Sequence, residues 1–255
     1  MAIHVTLLAN EGILLQSGNA KLLIDGIHIR EHTDFSGLSE SVLNDLIAGE
    51  KSTYQAIQYV LFTHHHEDHF SPEKTEAFLQ NHKIRGFFLP EKQMLKNPSL
   101  SEIASQQSET VYQLSLALGE KMEVTLTDTL SITVFCTIHA GEAYKDIENY
   151  CFLLHLSGKN ILIIGDSEYN PQYFKEMLDG ETVDILFVNP MFIRLVPGRK
   201  VVEAINPRQL IVYHIPFEAD DQLQFRSMVP KTIERHRAKL PPTQILWDEL
   251  QEMIL

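Results

Sequence analysis

The chain has 255 residues, of which 44% are apolar and 22% charged, values that exclude an intrinsically disordered segment and allow a sizeable buried core. Its formal net charge of −13 disfavours a surface that coats nucleic acid or anionic lipid. An anionic small substrate stays possible, because bound divalent ions would add positive charge where it matters.

The N-terminal part reads as short strands. Apolar runs at Ile3 to Leu8, Gly12 to Gln16 and Lys21 to Asp25 are separated by turn residues such as Ser17-Gly18-Asn19. No basic stretch precedes the first run, and Asn10 and Glu11 interrupt it. Neither a signal peptide nor a membrane span is therefore expected, and a cytoplasmic location is the default. A helix is expected around Glu40 to Ile47, and Ile57 to Phe62 reads as a buried strand. Ser71-Pro72 is a helix start, serine as N-cap and proline in the first turn, for a helix running to about Asn81. Ile84 to Leu89 returns as a strand.

The second half has the same texture. Strands are expected at Met122 to Thr127, Ser131 to Ile138, Tyr150 to Leu156, Asn160 to Ile164, Val183 to Val188 and Gln209 to Tyr213. Helices are expected at Pro171 to Leu178 and near Arg199 to Ile205. Helical segments close the chain, with Ile245 to Trp247 a candidate last strand. Strands flanked by helices imply an α/β layered architecture, and the similar halves imply two packed sheets in a single domain, 1–255. Cys136 and Cys151 lie in apolar strand-like runs and read as two buried thiols rather than a disulfide framework.

The chemistry concentrates in the histidines. Of 12, four fall in the segment Thr63-His64-His65-His66-Glu67-Asp68-His69, directly after a buried strand and before a capped helix. In an extended loop, residues two apart project to one side, so His64 and His66 can meet one cation. Asp68 and His69 lie further along and can reach a second ion nearby. Imidazole nitrogens and carboxylate oxygens suit zinc, iron or manganese. A solvated His-rich loop is the competing account. Against it, three more polar residues end apolar strands: His139, Asp166 and His214. A polar side chain at the mouth of a core strand is costly unless it is hydrogen-bonded or metal-bound.

The order His64-x-His66-x-Asp68-His69, then His139, Asp166 and His214, resembles the metallo-β-lactamase superfamily, and Leu22-Leu-Ile-Asp25-Gly26 looks like its early Asp motif. The resemblance implies an α/β fold, an αβ/βα four-layer sandwich of two mixed β-sheets flanked by helices, with metals in a cleft at one sheet edge. It gives one ion to His64, His66 and His139 and another to Asp68, His69 and His214, with Asp166 bridging. Asp25 would orient a ligand without binding metal, and His65 and Glu67 would fill variable positions. No pattern stands behind His4, His28, His32, His82, His155 or His236, and a structural role is expected for each, with His28 and His32 as candidate cleft-edge residues.

The resemblance further implies a hydrolase of the lactonase-like and phosphodiesterase-like bacterial branch, acting on a small ester, lactone, thioester or phosphodiester. Zinc is the first choice of metal, with manganese or iron as alternatives. Two cations would acidify a shared water and polarise the substrate oxygen. Asp68 and His214 are the candidate catalytic residues, Asp68 through a hydrogen bond to the attacking water. Tyr144, Glu218 and a metal-bound water are candidate donors to the leaving group. Arg194, Arg199 and Lys200, around Pro197-Gly198 in an expected loop, read as a solvated basic loop or as candidates to hold a phosphate or carboxylate. The alternatives are a mononuclear-iron sulfur-oxidising dioxygenase on the same fold and a metal-binding relative without activity. The expected partner is a small molecule, not nucleic acid or membrane; oligomeric state is open.

Overall fold

The computed structural model of the chain describes residues 1–30 and 34–255. The sequence-stretch holding His32, a candidate cleft-edge residue, lies outside the described residues. The chain divides into two compact units, 1–115 with 248–255, and 116–247.

The first unit opens on an antiparallel meander, β1 (His4–Ala9), β2 (Gly12–Ser17) and β3 (Ala20–Ile24). Helix α1 (Glu40–Ala48) follows, capped by the Ser39 hydroxyl and ended by Gly49 at φ 65°, a left-handed conformation that glycine adopts without strain. Next come β4 (Tyr59–Leu61), α2 (Pro72–Asn81), β5 (Ile84–Pro90), α3 (Glu91–Lys96), α4 (Pro98–Gln107) and β6 (Ser108–Leu114). Strands β3 to β6 pair in parallel, and the far C-terminal strand, Glu252–Ile254, adds to β1 antiparallel. The result is a seven-stranded mixed sheet among the described residues, flanked by helices.

The second unit follows the same plan. A meander, β7 (Lys121–Thr127), β8 (Leu130–Ile138), β9 (Glu148–Leu156) and β10 (Lys159–Ile163), is antiparallel. Then α5 (Pro171–Leu178), β11 (Ile185–Val188), α6 (Met191–Arg194), α7 (Val196–Ile205), β12 (Gln209–Val212), α8 (Phe225–His236) and β13 (Thr243–Ile245) complete it. Strands β10 to β13 pair in parallel in a second mixed sheet of seven. The chain then returns to the first unit as β14 (Glu252–Ile254).

Topology decides where functional side chains fall. In the first sheet β1, β3, β4 and β5 all point the same way, because β1 is two antiparallel steps from β3. In the second, β8, β10, β11 and β12 do so. The turns that follow these strands therefore collect along one edge of each sheet, the edge where α/β sheets place their sites.

The expected strands and helices are found with shifts of a few residues at most. The arginine-bearing segment is a correction: Arg194 ends α6, and Arg199 and Lys200 lie within α7, not in a loop. Pro197 fits the first turn of α7, and Gly198 lets that helix approach α6 closely, since a Cβ there would stand 2.6 Å from Phe192 Cα. Arg199 donates from Nη1 to the carbonyls of Ile193 (2.9 Å) and Arg194 (2.6 Å), so its guanidinium completes a helix end. His28 takes the structural role expected of it, not the cleft-edge alternative. It is fully buried, with Nε2 3.3 Å from the carbonyl oxygen of Ala9, and edges no cleft. Both cysteines are buried, and they form no disulfide with each other. Among the described residues, no helix is long and apolar enough to cross a membrane.

Candidate metal centre

In the first unit the site is built from the C-terminal ends of β3 and β4. Asp25, just past β3, is fully buried and sits at φ 47°, an uncommon conformation for a residue with a Cβ. Its carboxylate accepts from the Thr63 backbone N–H (2.8 Å, Oδ1) and the Thr63 hydroxyl (2.6 Å, Oδ2). Oδ2 also takes Nδ1 of His69 at 3.0 Å. A carboxylate facing Nδ1 fixes the hydrogen there and leaves Nε2 of His69 with its lone pair. The Thr63 hydroxyl gives its hydrogen to Asp25, so it accepts from Nδ1 of His64 at 3.1 Å, and His64 is left with a basic Nε2 as well.

That Nε2 lies 3.2 Å from Nδ1 of His66. The segment then turns: the N–H groups of His69 and Phe70 both donate to the His66 carbonyl at 2.9 Å. The turn sets Asp68 Oδ2 4.0 Å from Nε2 of His69 and packs the His64 and His69 rings at 3.9 Å between centroids. The first unit thus brings His64, His66, Asp68 and His69 together. His65 is half-buried and Glu67 exposed.

In the second unit, His139 follows β8. Its Nδ1 donates to the Ala140 carbonyl at 2.7 Å, which again leaves Nε2 basic. Asp166 follows β10 and is fixed from several sides. Its N–H donates to Asn149 Oδ1 (3.0 Å), its carbonyl accepts from Ala140 N–H (2.7 Å), and its Oδ1 accepts from Asn189 Nδ2 (2.6 Å). Oδ2 is left to face two imidazoles, Nε2 of His139 at 3.4 Å and Nε2 of His214 at 3.5 Å. His214 follows β12 at φ 56°, a second strained backbone among the site residues. The second unit thus brings His139, Asp166 and His214 together.

The donors fit divalent metal. They are five imidazoles and two carboxylates, with His64, Asp68, His69, His139 and His214 all buried. His64, His69 and His139 have Nδ1 on an oxygen, and Nε2 of His69, His139 and His214 faces a carboxylate, a nitrogen and oxygen donor set of the kind that zinc, manganese or iron takes.

Several neighbours have no counterpart in the sequence reading. Glu11, in the β1–β2 turn, is fully buried with Oε2 3.6 Å from Nδ1 of His69. Asn189 follows β11 just as Asp166 follows β10, and that strand-end position is the signal that could have found it. Asn149 carries no such signal, since it lies inside β9. Tyr169 is pushed up to about 12, first by burial and then by the charge of Asp166, so its phenol stays protonated through the neutral range. Of the candidate leaving-group donors, Tyr144 packs edge-on against His139 at 4.9 Å and is 45% exposed, whereas Glu218 is exposed on the loop after His214.

A family model described as a beta-lactamase superfamily domain matches residues 4–214. Comparison with curated protein sequences returned no match. Among solved structures, the chain is similar to a possible metal-dependent hydrolase from Veillonella parvula, at 14% identity and a TM-score of 0.69 over 100% of both chains. It is also similar to an isothiocyanate hydrolase from Delia radicum gut bacteria, at 15% identity and a TM-score of 0.66 over 99% of this chain and 98% of that one. A diiron β-hydroxylase from Streptomyces venezuelae is similar at 14% identity and a TM-score of 0.63, over 99% of this chain and 54% of that one.

Proposed function

The chain belongs to the beta-lactamase superfamily, and from that premise we propose that it is a metal-dependent hydrolase acting with two divalent ions on a small ester, lactone, thioester or phosphodiester. In this reading the two units act as one domain, 1–255. His64, His66 and His139 would hold one ion, Asp68, His69 and His214 would hold the other, and Asp166 would offer its carboxylate to both. Zinc is the first choice of metal, with manganese or iron as alternatives.

One observation carries the reading. A single oxygen of Asp166 faces the Nε2 atoms of two histidines from different strands, at 3.4 and 3.5 Å, while the other oxygen is held by Asn189. A carboxylate oriented this way offers negative charge to more than one cation. Bound ions would lower the pKa of a water toward neutrality and polarise the scissile carbonyl or phosphoryl oxygen.

The chain's own residues do the rest. Asp25 and Thr63 hold His69 and His64 in the tautomers that ligation needs. Asp68 also accepts a hydrogen bond from the attacking water. Tyr144, half-exposed beside His139, donates to the leaving group. The net charge of −13 supports a small-molecule partner over nucleic acid or membrane.

The test is reconstitution with zinc or manganese, elemental analysis, and a panel of lactones, thioesters and phosphodiesters run beside an oxygen electrode. About two ions per chain and hydrolysis without oxygen uptake are expected. One tightly held iron with oxygen consumption on a persulfide substrate would replace the hydrolase with an oxygenase.

A further inference from the structure

We infer that Glu11 is a second carboxylate behind His69, a positioning residue that strengthens the hold of the first unit on its cation. This rests on the metal-binding reading above and adds a residue to it.

A hairpin turn normally faces water, yet Glu11 is fully buried. The local sequence explains why. Asn10 takes φ 48°, and its side-chain amide is tied at both ends to Ser36, donating to the Ser36 carbonyl and accepting from the Ser36 N–H at 3.1 Å. The turn is thereby held under the 34–38 segment. Gly12 follows, and a Cβ there would lie 3.0 Å from the Asp25 carbonyl oxygen and from Gly26 Cα. Glycine lets the start of β2 run this close to the backbone that carries Asp25 without pushing it away. Because β1 and β3 share a direction, their ends meet at one edge, and Glu11 arrives beside Asp25.

Both carboxylates then face one imidazole. Asp25 Oδ2 stands 3.0 Å from His69 Nδ1 and Glu11 Oε2 stands 3.6 Å from the same atom. All three side chains are fully buried and could themselves crowd a cation. The first distance is a hydrogen bond. The second is too long for one, and at that range in a low-dielectric interior a carboxylate acts by charge. It makes the opposite nitrogen, Nε2, a better donor to a positive ion. Asp68, 4.0 Å from that Nε2, adds a third carboxylate around the ring. A buried cluster with this excess of negative groups is penalised when no cation balances it and relieved when one does.

The experiment compares wild type with Glu11→Gln, which keeps the shape and removes the charge, and with Glu11→Leu, which removes the polar group. Zinc affinity is read by competition with a chromophoric chelator, and melting is followed with and without zinc. Both variants should bind zinc about 10- to 100-fold more weakly and melt, when metal-free, no lower than wild type. Unchanged zinc affinity in both variants overturns the inference, and so does a lower metal-free Tm with unchanged affinity, which marks Glu11 as structural only. If wild type itself binds no zinc, the metal-binding reading fails with it, and that result is told apart before any variant is made.

Discussion

The two units hold their donors by different means. In the first, His69 leans on two buried carboxyl groups and His64 on a threonine that one of them holds, so the backing is anionic. In the second, His139 leans on a backbone carbonyl and Asp166 on two asparagine side chains, so the backing is neutral. Similar topologies have met the same demand, imidazoles turned outward at strand ends, with opposite electrostatics. The lesson is that the first unit should depend on a cation for its order, while the second should keep its geometry without one.

The largest expected effect tests Asp166, the carboxylate of the second unit to which the proposal gives a metal-binding role. Asp166→Asn removes charge that offsets cation repulsion and should cost several kcal/mol of transition-state stabilisation, on the order of what metal activation supplies. Steady-state kinetics on a substrate found by the panel measures it. Melting should barely change, because Asn189 can still donate to the new amide oxygen and the backbone N–H that donates to Asn149 is untouched. A large drop in Tm would instead make Asp166 a structural residue and blur the contrast between the units.

Asp25→Ala comes next. It strips the Thr63 N–H, the Thr63 hydroxyl and His69 of one fully buried partner, and should lower stability by about 3 kcal/mol. Chemical denaturation gives the value, and added zinc should recover part of it. In the second unit, Asn189→Ala should act differently. It frees Asp166 Oδ1 and should weaken metal binding about tenfold or more with little loss of fold. Equal stability losses for these two variants would break the comparison.

The smallest effect lies away from the donors. Burial lowers the pKa of His82 below its ordinary 6.5, against the opposing pull of the Leu46 and Ile47 carbonyls. The folded chain thus takes this proton less readily than the unfolded one. The contribution is fully present above pH 6.5 and is lost as pH falls through the lowered value. His82→Gln should flatten the acid side of the stability profile, read from urea melts at a series of pH values.

Much of this was legible in the chain. Ser71-Pro72 marked α2 because capping is local, and His64 to His69 stood out because four histidines crowd one loop. The edge strand β6, Ser108–Leu114, was silent, since its outward face is polar and it lacks the alternation a half-buried strand shows. β14 was silent as well, being three residues whose partner β1 lies at the other end of the chain. Arg194 and Arg199 read as an anion-binding loop because Pro197-Gly198 looks like a turn. Only tertiary contact reveals that the glycine serves helix packing and that Arg199 is spent on carbonyls. Glu11 was hidden for a related reason, because the side of a hairpin turn that becomes buried depends on what covers it.

The proposal assigns His64 and His139 to the same ion, and a double-mutant measurement tests that assignment most directly. Wild type, His64→Ala, His139→Ala and the double variant would be reconstituted with zinc and their metal content measured. If His64 and His139 share an ion, each single variant loses that ion and activity together, and the double variant loses no more metal than either single one. Full metal in both single variants, or losses that add in the double variant, would contradict the account.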